Sequence, residues 1–598
     1  RGDKGLKKKG ILSVFLALIT AISCFGCGGE TATYVSLEYG TGLNDAGKVY
    51  DKMYYRNTAI VNGADPGVMW VSEEQDPEYG GYFYVYTSSE KWYGNTVYSA
   101  GCFRSKDLCN WENAGAVANG HALESAPDDW TKANFWAPEC IYDEATQKYY
   151  LYYSAQRGSG DRNGSLATNY SNLMLAVASS DTPVGPFTLV RGGTDCNGEE
   201  ITNNPRFDVA AHFGLSKPFA AIDASVFRDD DGSLYLTFAK HEDTSGRNRG
   251  IWGVKLLDPV TPDWSTLTCL TVTGKRRVVD FEAGVLTDSI VPVGEGNIDE
   301  STLNEGNFIF KAGGKYYLTF STNGYGDKGY NVMQAVSDSP LGPYVKPEIG
   351  KGNPVISSAA AGIGYMSGTG HHSMVKAGDE IFSVYAYHGN PDKFSDAHMR
   401  ILGTDRIVLT EIDGQQVLAC NGPTYSPQYL PESISGYKNL ALSATVEVNG
   451  GENKEYLTDG LLTVSGSLKD REYRSSGTAE ITLKFASPVR VSGIMIYNST
   501  SFGYAFKKID RIDFKFAEKQ EANGKLYDYG TITDLLFPAE NADENAETLI
   551  QGSAAIADFN EIEVTEITIT VSQKYVNEDK FGAVNASVGI AEIVVLGK

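Results

Sequence analysis

Five polar residues head five strand–turn–strand units that recur along the chain: Asp65, Glu139, Asp223, Glu305 and His371. Three of them are carboxylates in settings that suit different tasks. Asp65 lies in Ala-Asp-Pro-Gly, where Pro66 removes a backbone donor and stiffens the start of a strand, so the carboxylate is held in place. Glu305 lies in Asn-Glu-Gly among apolar strand residues, where desolvation raises a carboxyl pKa and Gly306 allows close approach of another chain or a substrate. Asp223, in Ile-Asp-Ala-Ser, falls between them in the order of units. Cleavage of a glycosidic bond needs such a set: one carboxylic acid protonates the leaving oxygen and one carboxylate activates water or attacks carbon. The residues are read accordingly, Asp65 as general base, Glu305 as general acid, and Asp223 as a third carboxylate that keeps Glu305 protonated by like-charge repulsion. A lone Asp before Pro is more often a turn or cap residue. Three carboxylates at one repeat phase make coincidence the harder explanation.

Around this set stand candidates for substrate contact. Glu139 shares the phase but follows Trp136-Ala137-Pro138, which places it behind the reacting pair. Trp136 and Phe135 offer flat faces to a sugar, with core packing the competing use. His371 and His372 in Gly-Thr-Gly-His-His-Ser, with His388 in Tyr-His-Gly, form the one histidine cluster, too few ligands for zinc. His371 would ligate a hydrated cation on the axis or hydrogen-bond a catalytic carboxylate, and His388 is expected on the substrate side.

The elements that must position these residues read as all-β. From about residue 55 to 415 the chain is short aromatic-rich strands punctuated by Gly, Pro, Asn and Asp, with hardly any helical period. Each unit pairs a polar residue and a β-branched or aromatic strand with a turn and a second strand rich in Tyr and Phe. In four units the residue eleven positions on is a strand hydrophobe, Tyr150, Leu234, Tyr316 and Phe382, and the copy at Asp65 has a longer turn before Tyr82. Spacings of 74, 84, 82 and 66 residues suit one four-stranded blade each, hence a five-bladed β-propeller whose axis gathers the five polar residues. Ser180–Phe187 (SDTPVGPF) and Ser337–Tyr344 (SDSPLGPY) are near-identical turns late in their blades. The expected organisation is a signal segment at 1–27, a short tether at 28–50, the propeller at 51–420, a proline-rich linker at 421–438 and a β-sandwich at 439–598.

Composition bounds the partners. The chain has 598 residues, 42% hydrophobic and 21% charged, which excludes a disordered or polytopic membrane protein. Lys+Arg 51 against Asp+Glu 75 gives a net charge of −24, a field that repels phosphate backbones and anionic lipid and leaves neutral polymers open. Nucleic acid is not expected as a partner. Lys4, Lys7, Lys8 and Lys9 precede an apolar stretch from Ile11 to Ile22, too short to span a bilayer and typical of a secretory signal. Cys24 or Cys27, each after a small residue, is a candidate for lipidation, with Cys27 favoured; the membrane is then met only through an N-terminal lipid anchor. The six remaining Cys do not form a disulfide scaffold, although Cys102 and Cys109 could pair across a hairpin.

These residues resemble glycoside hydrolase family 43 over roughly positions 50 to 430. The Ala-Asp-Pro, Ile-Asp-x-Ser and Glu-Gly segments match the family's base, pKa-modulating and acid positions, Trp-Ala-Pro matches at Trp136–Pro138, and Gly-x-Gly-His at Gly368–His371. The resemblance implies a five-bladed propeller, inversion, carboxyl groups about 6.5–9.5 Å apart, no cofactor for the chemistry, a calcium ion supported by His371 in the axial channel, and plant cell-wall arabinan, arabinoxylan, xylan or galactan as substrate. Insertions at 157–172, 191–212 and 260–300 are expected at the rim. The C-terminal unit resembles the discoidin-like, galactose-binding fold of many carbohydrate-binding modules, through NLALSATVEVNG, EYLTDG and AEIVVLG; that likeness implies Asp459 and Glu592 near a structural calcium and loop aromatics such as Tyr473, Tyr497 or Tyr504 as sugar contacts.

The reading is a secreted, lipid-anchored, inverting glycosidase, with arabinofuranosyl substrates ahead of xylosyl or galactosyl ones. The alternative of another class is a surface protein that captures glycan without cleaving it, against which the three carboxylates argue. Ser105-Lys106-Asp107 to Trp111 approaches the Ser-x-Asp-x-Gly-x-x-Trp turn of sialidase-like propellers but lacks its Gly and spacing, and no Gly-x-Ser-x-Gly elbow, P-loop or His-Glu-x-x-His helix occurs.

Overall fold

The structure is a computed structural model that describes residues 32–41, 53–57, 61–88, 100–123, 131–157, 173–192, 207, 209–212, 220–240, 250–273, 277–282, 285–290, 303–361, 364–389, 400–469, 471–501, 503–537, 552–572 and 587–598. The signal segment with Cys24 and Cys27, most of the insertion at 157–172, and Cys196 lie outside them.

Strands rich in Tyr, Phe and Val stack in sheets that are covered on both faces, so they read as nearly continuous apolar runs, as in Tyr82–Ser88, where six of seven residues are buried. Four four-stranded antiparallel sheets and one three-stranded sheet form the blades. Blade 1 starts with Ala64–Val71, blade 2 with Thr131–Asp143, blade 3 with Ala221–Arg228, blade 4 with Asn304–Ala312 and blade 5 with Gly370–Ala377. Each first strand touches the next around the ring, and that of blade 5 touches that of blade 1, which closes a five-bladed propeller. Tyrosines fill the inter-blade space, and two of their hydroxyls reach carbonyls: Tyr86 donates to Pro183 O at 2.6 Å and Tyr152 to Pro259 O at 2.7 Å. Part of the expected rim insertion at 260–300 is instead the outermost strand of blade 3, Thr261–Val272.

The first strands share a distortion that positions the site. Each slips register by a β-bulge, after Ala64, Trp136, Ile222, Glu305 and Gly370. The first bulged residue takes positive φ in every blade: Asp65 (49°), Ala137 (46°), Asp223 (60°), Gly306 (56°) and His371 (44°). For a non-glycine residue that conformation is costly and marks a functional constraint. The structural repeat therefore corrects the sequence phase. Asp65, Asp223 and His371 are equivalent, but Glu305 precedes its bulge by one residue and Glu139 follows its own by two. A bulge re-aims a side chain, so carboxylates one or two residues off phase still point at the axis.

The ring closes without a shared blade. Gly63 N donates to Arg400 O at 3.2 Å and Leu402 N to Val61 O at 3.1 Å, so the chain entering blade 1 hydrogen-bonds along the third strand of blade 5, Arg400–Ile412. Beside this seam Asp405, fully buried, accepts from Tyr385 Oη at 2.5 Å, from Asn57 Nδ2 and from Gln428 Nε2. Burial pushes its carboxyl up to about 8 against those donors.

Beyond the linker, a nine-stranded sheet carries the C-terminal unit. Its long strands, Ala479–Asn498 and Ala554–Val571, bend at register shifts, so the sheet wraps a core of Ile481, Leu483, Ile494, Phe514, Ile567 and Val595. The segment read as a tether contains a strand of this sheet: Tyr34–Ser36 pairs in parallel with Tyr529–Thr531, and Val35 and Leu37 pack on the core. The two units join through Met53, Tyr54 and Tyr429 packed on Met495, Tyr497 and Val594, with Tyr497 Oη donating to Pro427 O at 2.7 Å. Tyr473 and Tyr497, expected as sugar contacts, are buried at 0% and 2% exposure and belong to the cores. Cys102 and Cys109 are free thiols, not a disulfide.

The axial packing is tight enough to test. A Cβ on Gly67 would lie 2.3 Å from Pro138 O and 2.8 Å from Glu139 Cα, backbone atoms that cannot swing away. Gly67→Ala is expected to destabilise the propeller by about 1–3 kcal/mol, measured by chemical denaturation; an unchanged midpoint would show that blades 1 and 2 have slack at the axis.

Candidate active site

Asp65, on its bulge, is 8% exposed and has every oxygen engaged. Arg400 donates from Nη1 to Oδ1 at 2.6 Å and from Nη2 to Oδ2 at 3.3 Å, Ser88 Oγ donates to Oδ2 at 2.5 Å, and His371 Nδ1 lies 3.0 Å from Oδ1. Burial alone would push this carboxyl up; Arg400 and His371, with the hydrogen bonds, outweigh it and hold it well below the usual carboxylate range. Ser88 in turn accepts the Ala137 N–H at 2.7 Å, so one hydroxyl ties the bulge of blade 2 to the carboxylate of blade 1.

Glu305 and Asp223 live under the opposite balance. Burial, followed by the charge of Asp223, pushes Glu305 up to about 7, and Tyr330 Oη donates to its Oε1 at 2.8 Å. Asp223 is raised by burial and by the charge of Asp65, while His371 pulls it down; its Oδ2 accepts the Gly306 N–H at 2.8 Å and its own N–H donates to Ser154 Oγ at 2.9 Å. Gly306 allows this contact, for a Cβ there would sit 3.0 Å from His371 Cγ. Burial alone would lower the His371 imidazole, but the charges of Asp65 and Asp223 lift it to about 9. The centre thus holds one firmly ionised carboxylate, a pair of carboxyl groups raised together, and two cations facing them.

Other expected residues take different places. Glu139 reaches the axis below Gly67, where burial raises its carboxyl to about 7 against hydrogen bonds from Ser225 and Ser373 and the charge of His371. Trp136 is half-buried against Leu173, Ile222 and Ala239. Phe135 is core, stacked on Tyr153 at 6.0 Å. His388, expected on the substrate side, is turned into the protein: at 2% exposure its Nε2 donates to Tyr325 O at 2.8 Å and its Nδ1 meets Ser367 Oγ at 3.1 Å. Arg400, Tyr330 and Ser88 carry no motif and were not anticipated; only the need for a buried carboxylate to find a cation pointed to the first.

A calcium ion needs six to eight oxygen ligands. Among the described residues no three His, Cys, Asp or Glu side chains gather as a metal site. Around His371 the partners are a guanidinium and carboxylates already bonded to it or to backbone, which does not compose such a shell. Asp459 and Glu592 in the C-terminal unit fit better. They hydrogen-bond each other, burial pushes Asp459 up to about 6 and, with the Asp459 charge, Glu592 well up, and Glu592 Oε2 is buried without a partner.

Comparison with known proteins bears on the whole arrangement. The sequence pattern of glycosyl hydrolases family 43 matches residues 73–407. A β-D-galactofuranosidase of Aspergillus niger is 25% identical over 340 residues, 55% of this chain and 76% of the relative. A probable arabinan endo-1,5-α-L-arabinosidase of Aspergillus terreus is 29% identical over 224 residues, 37% of this chain and 51% of the relative, so the match spans about half of that protein's length. Among solved structures, a thermostable family-43 glycoside hydrolase is 27% identical with a TM-score of 0.43, covering 63% of this chain and 99% of its own.

Removal of the shared hydroxyl tests the site's construction. Ser88→Ala leaves the buried Ala137 N–H without an acceptor and is expected to cost about 1–3 kcal/mol of stability by denaturant titration; a change under a few tenths would mean that the bulge of blade 2 is held by other contacts.

Proposed function

The chain belongs to glycosyl hydrolases family 43 and is a glycosidase that hydrolyses O-glycosyl bonds, and from that premise we propose that it inverts configuration while releasing α-L-arabinofuranosyl units from plant cell-wall polysaccharide, with Asp65 as general base, Glu305 as general acid and Asp223 as the modulator of Glu305. The observation that carries the assignment is the opposed environment of the two carboxyl groups: Arg400 and His371 keep Asp65 charged, while burial and Asp223 keep Glu305 protonated up to about pH 7.

In this mechanism Asp65 takes a proton from water as the water oxygen bonds to the anomeric carbon. Glu305 gives its proton to the departing glycosidic oxygen as that C–O bond breaks. Water adds its hydroxyl to the sugar, and the proton on Asp65 and the empty site on Glu305 are reset through solvent. Asp65 is a weak base in this setting, so the proton moves late, once an oxocarbenium-like carbon has made the water acidic. Arg400 and His371 keep the charge in place through binding. Trp136, partly exposed beside the axis, offers a face to the sugar, and Glu139 offers hydrogen bonds from below.

Arabinofuranosyl substrates are favoured because one relative is by name a galactofuranosidase and another by name an arabinan endo-1,5-α-L-arabinosidase, whose linkage through O5 leaves the sugar a five-membered ring. A xylosyl substrate is the second reading, favoured by a xylosidase/arabinosidase relative of Humicola insolens, 26% identical over 38% of this chain. A net charge of −24 suits a neutral polymer. The C-terminal unit is proposed as a carbohydrate-binding module that holds the same polymer, and the signal at 1–27 as the anchor that places the enzyme outside the cell. An acyl group on the N-terminal peptide, seen by mass spectrometry, is the expected result for the anchor; an unmodified terminus beyond Cys27 would remove it.

Sugar release from linear arabinan, arabinoxylan, xylan and galactan tests the function. Arabinose is expected, its first-formed anomer inverted by proton NMR, with Glu305→Gln and Asp65→Asn each reducing turnover by a factor of about 10³ or more. Glu305→Gln should retain far more activity on an aryl glycoside with a good leaving group, which needs no acid. For unaltered protein, kcat/KM should fall as pH rises through about 7, as Glu305 ionises. Asp223→Asn removes the repulsive charge, so that alkaline limb should move to lower pH; an unmoved limb removes the modulator role. Binding without release from any polymer would favour glycan capture.

A further inference from the structure

One short segment of blade 4, between the strands Lys315–Thr322 and Asn331–Ser337, reaches both sides of the site. At one end Tyr325, 41% exposed, lies over the Arg400 guanidinium with its ring centroid 4.9 Å away, and Arg400 holds Asp65. At the other end Tyr330, fully buried, donates to Glu305. Its ring passes over Gly370, where a Cβ would come within 2.3 Å of it.

The segment is rigid by construction. Asp327 N donates to Gly324 O at 2.8 Å, Gly324 N to Asp327 Oδ2 at 3.1 Å, Tyr330 N to Asp327 O at 3.0 Å and Asn323 Nδ2 to Gly329 O at 2.7 Å. From outside, Gly368 N donates to Lys328 O at 3.2 Å, and His388, braced by Ser367 and packed on Gly368, grips the Tyr325 carbonyl. An aromatic ring fixed in this way has lost its freedom before substrate arrives, so stacking a sugar on it costs little further entropy. One face of the Tyr325 ring is occupied by a cation that belongs to the base, and the residue is still two-fifths exposed. Tyr325 thus stands one guanidinium away from Asp65, the base of the hydrolase reading.

We propose that Tyr325 is the platform on which the sugar next to Asp65 rests, and that Tyr330 is a positioning residue for Glu305, so that one preformed segment sets sugar and acid relative to each other. The inference rests on the hydrolase reading above and adds to it the residue that selects the sugar ring.

Kinetics on 4-nitrophenyl α-L-arabinofuranoside, 4-nitrophenyl β-D-xyloside and arabinan oligosaccharides test it, with Asp65→Asn and Glu305→Gln alongside. Tyr325→Ala is expected to raise KM about tenfold with a smaller change in kcat, and to narrow the preference between the two aryl glycosides; Tyr325→Phe should restore both. Tyr330→Phe keeps the ring over Gly370 and removes only the hydroxyl. Glu305 is then faced by Asp223 from blade 3, Asp65 from blade 1 and His371 from blade 5, and has lost the Tyr330 hydroxyl, a donor that favours its ionised form. The alkaline limb should move to higher pH, and kcat should fall more for oligosaccharides than for aryl glycosides. An unchanged KM and preference in Tyr325→Ala overturns the platform, and an unmoved limb in Tyr330→Phe overturns the positioning role, in each case with the two carboxylate variants inactive. Activity surviving in those variants, or no turnover of any probe by unaltered protein, overturns the hydrolase reading and this inference with it.

Discussion

The ion pair between Arg400 and Asp65 lies where the propeller closes on itself. Asp65 opens blade 1 and Arg400 opens the third strand of blade 5, the strand whose backbone hydrogen-bonds to the chain entering blade 1. A buried ion pair is costly unless its geometry is good and its remaining lone pairs are used. Here Ser88 and His371 use them. Ring closure and the creation of a permanently charged carboxylate are therefore one event: an open ring would leave Asp65 without its cation, and its pKa would climb under burial toward those of Glu305 and Asp223. The division of labour among three carboxyl groups of similar intrinsic acidity follows from which of them sits at the seam.

The five bulges serve the same end from the backbone. Positive φ at Ala137, Asp223 and His371 is unfavourable by itself, and at these three bulges the N–H finds a hydroxyl in the preceding blade: Ser88 for Ala137, Ser154 for Asp223 and Ser321 for His371. These hydroxyls stand late in second strands, so blades 1, 2 and 4 brace the bulges of blades 2, 3 and 5. Strain is spread around the ring.

Much of this was legible before any coordinates. Alternating aromatic strands, turn residues at regular intervals and the recurrence of a polar residue at each strand head gave the propeller and brought Asp65, Asp223, Glu305 and His371 to one axis. The phase of Glu305 and Glu139 was misread by one and two residues, because a bulge adds a residue without leaving a mark in composition. Arg400 lies in an unremarkable strand, and its role arises from a contact 335 residues away in sequence. His388 looked like a sugar ligand because it shares a face with the cluster; only packing shows it turned inward against Gly368. Tyr473 and Tyr497 look like surface aromatics in sequence, since tyrosine in a β-rich chain is as often core as contact.

The strand Tyr34–Ser36 carries a consequence for the life of the chain. It emerges early from the ribosome, yet its partner, Tyr529–Thr531, lies about 495 residues downstream. The entropy of closing so long a loop grows only with the logarithm of its length, so the penalty in stability is small. The penalty falls on time: the propeller can complete its ring while the strand stays unpaired, and the sheet of the C-terminal unit gains this edge only after the residues up to Thr531 have been made. A strand made before the propeller therefore docks only after the propeller has been made.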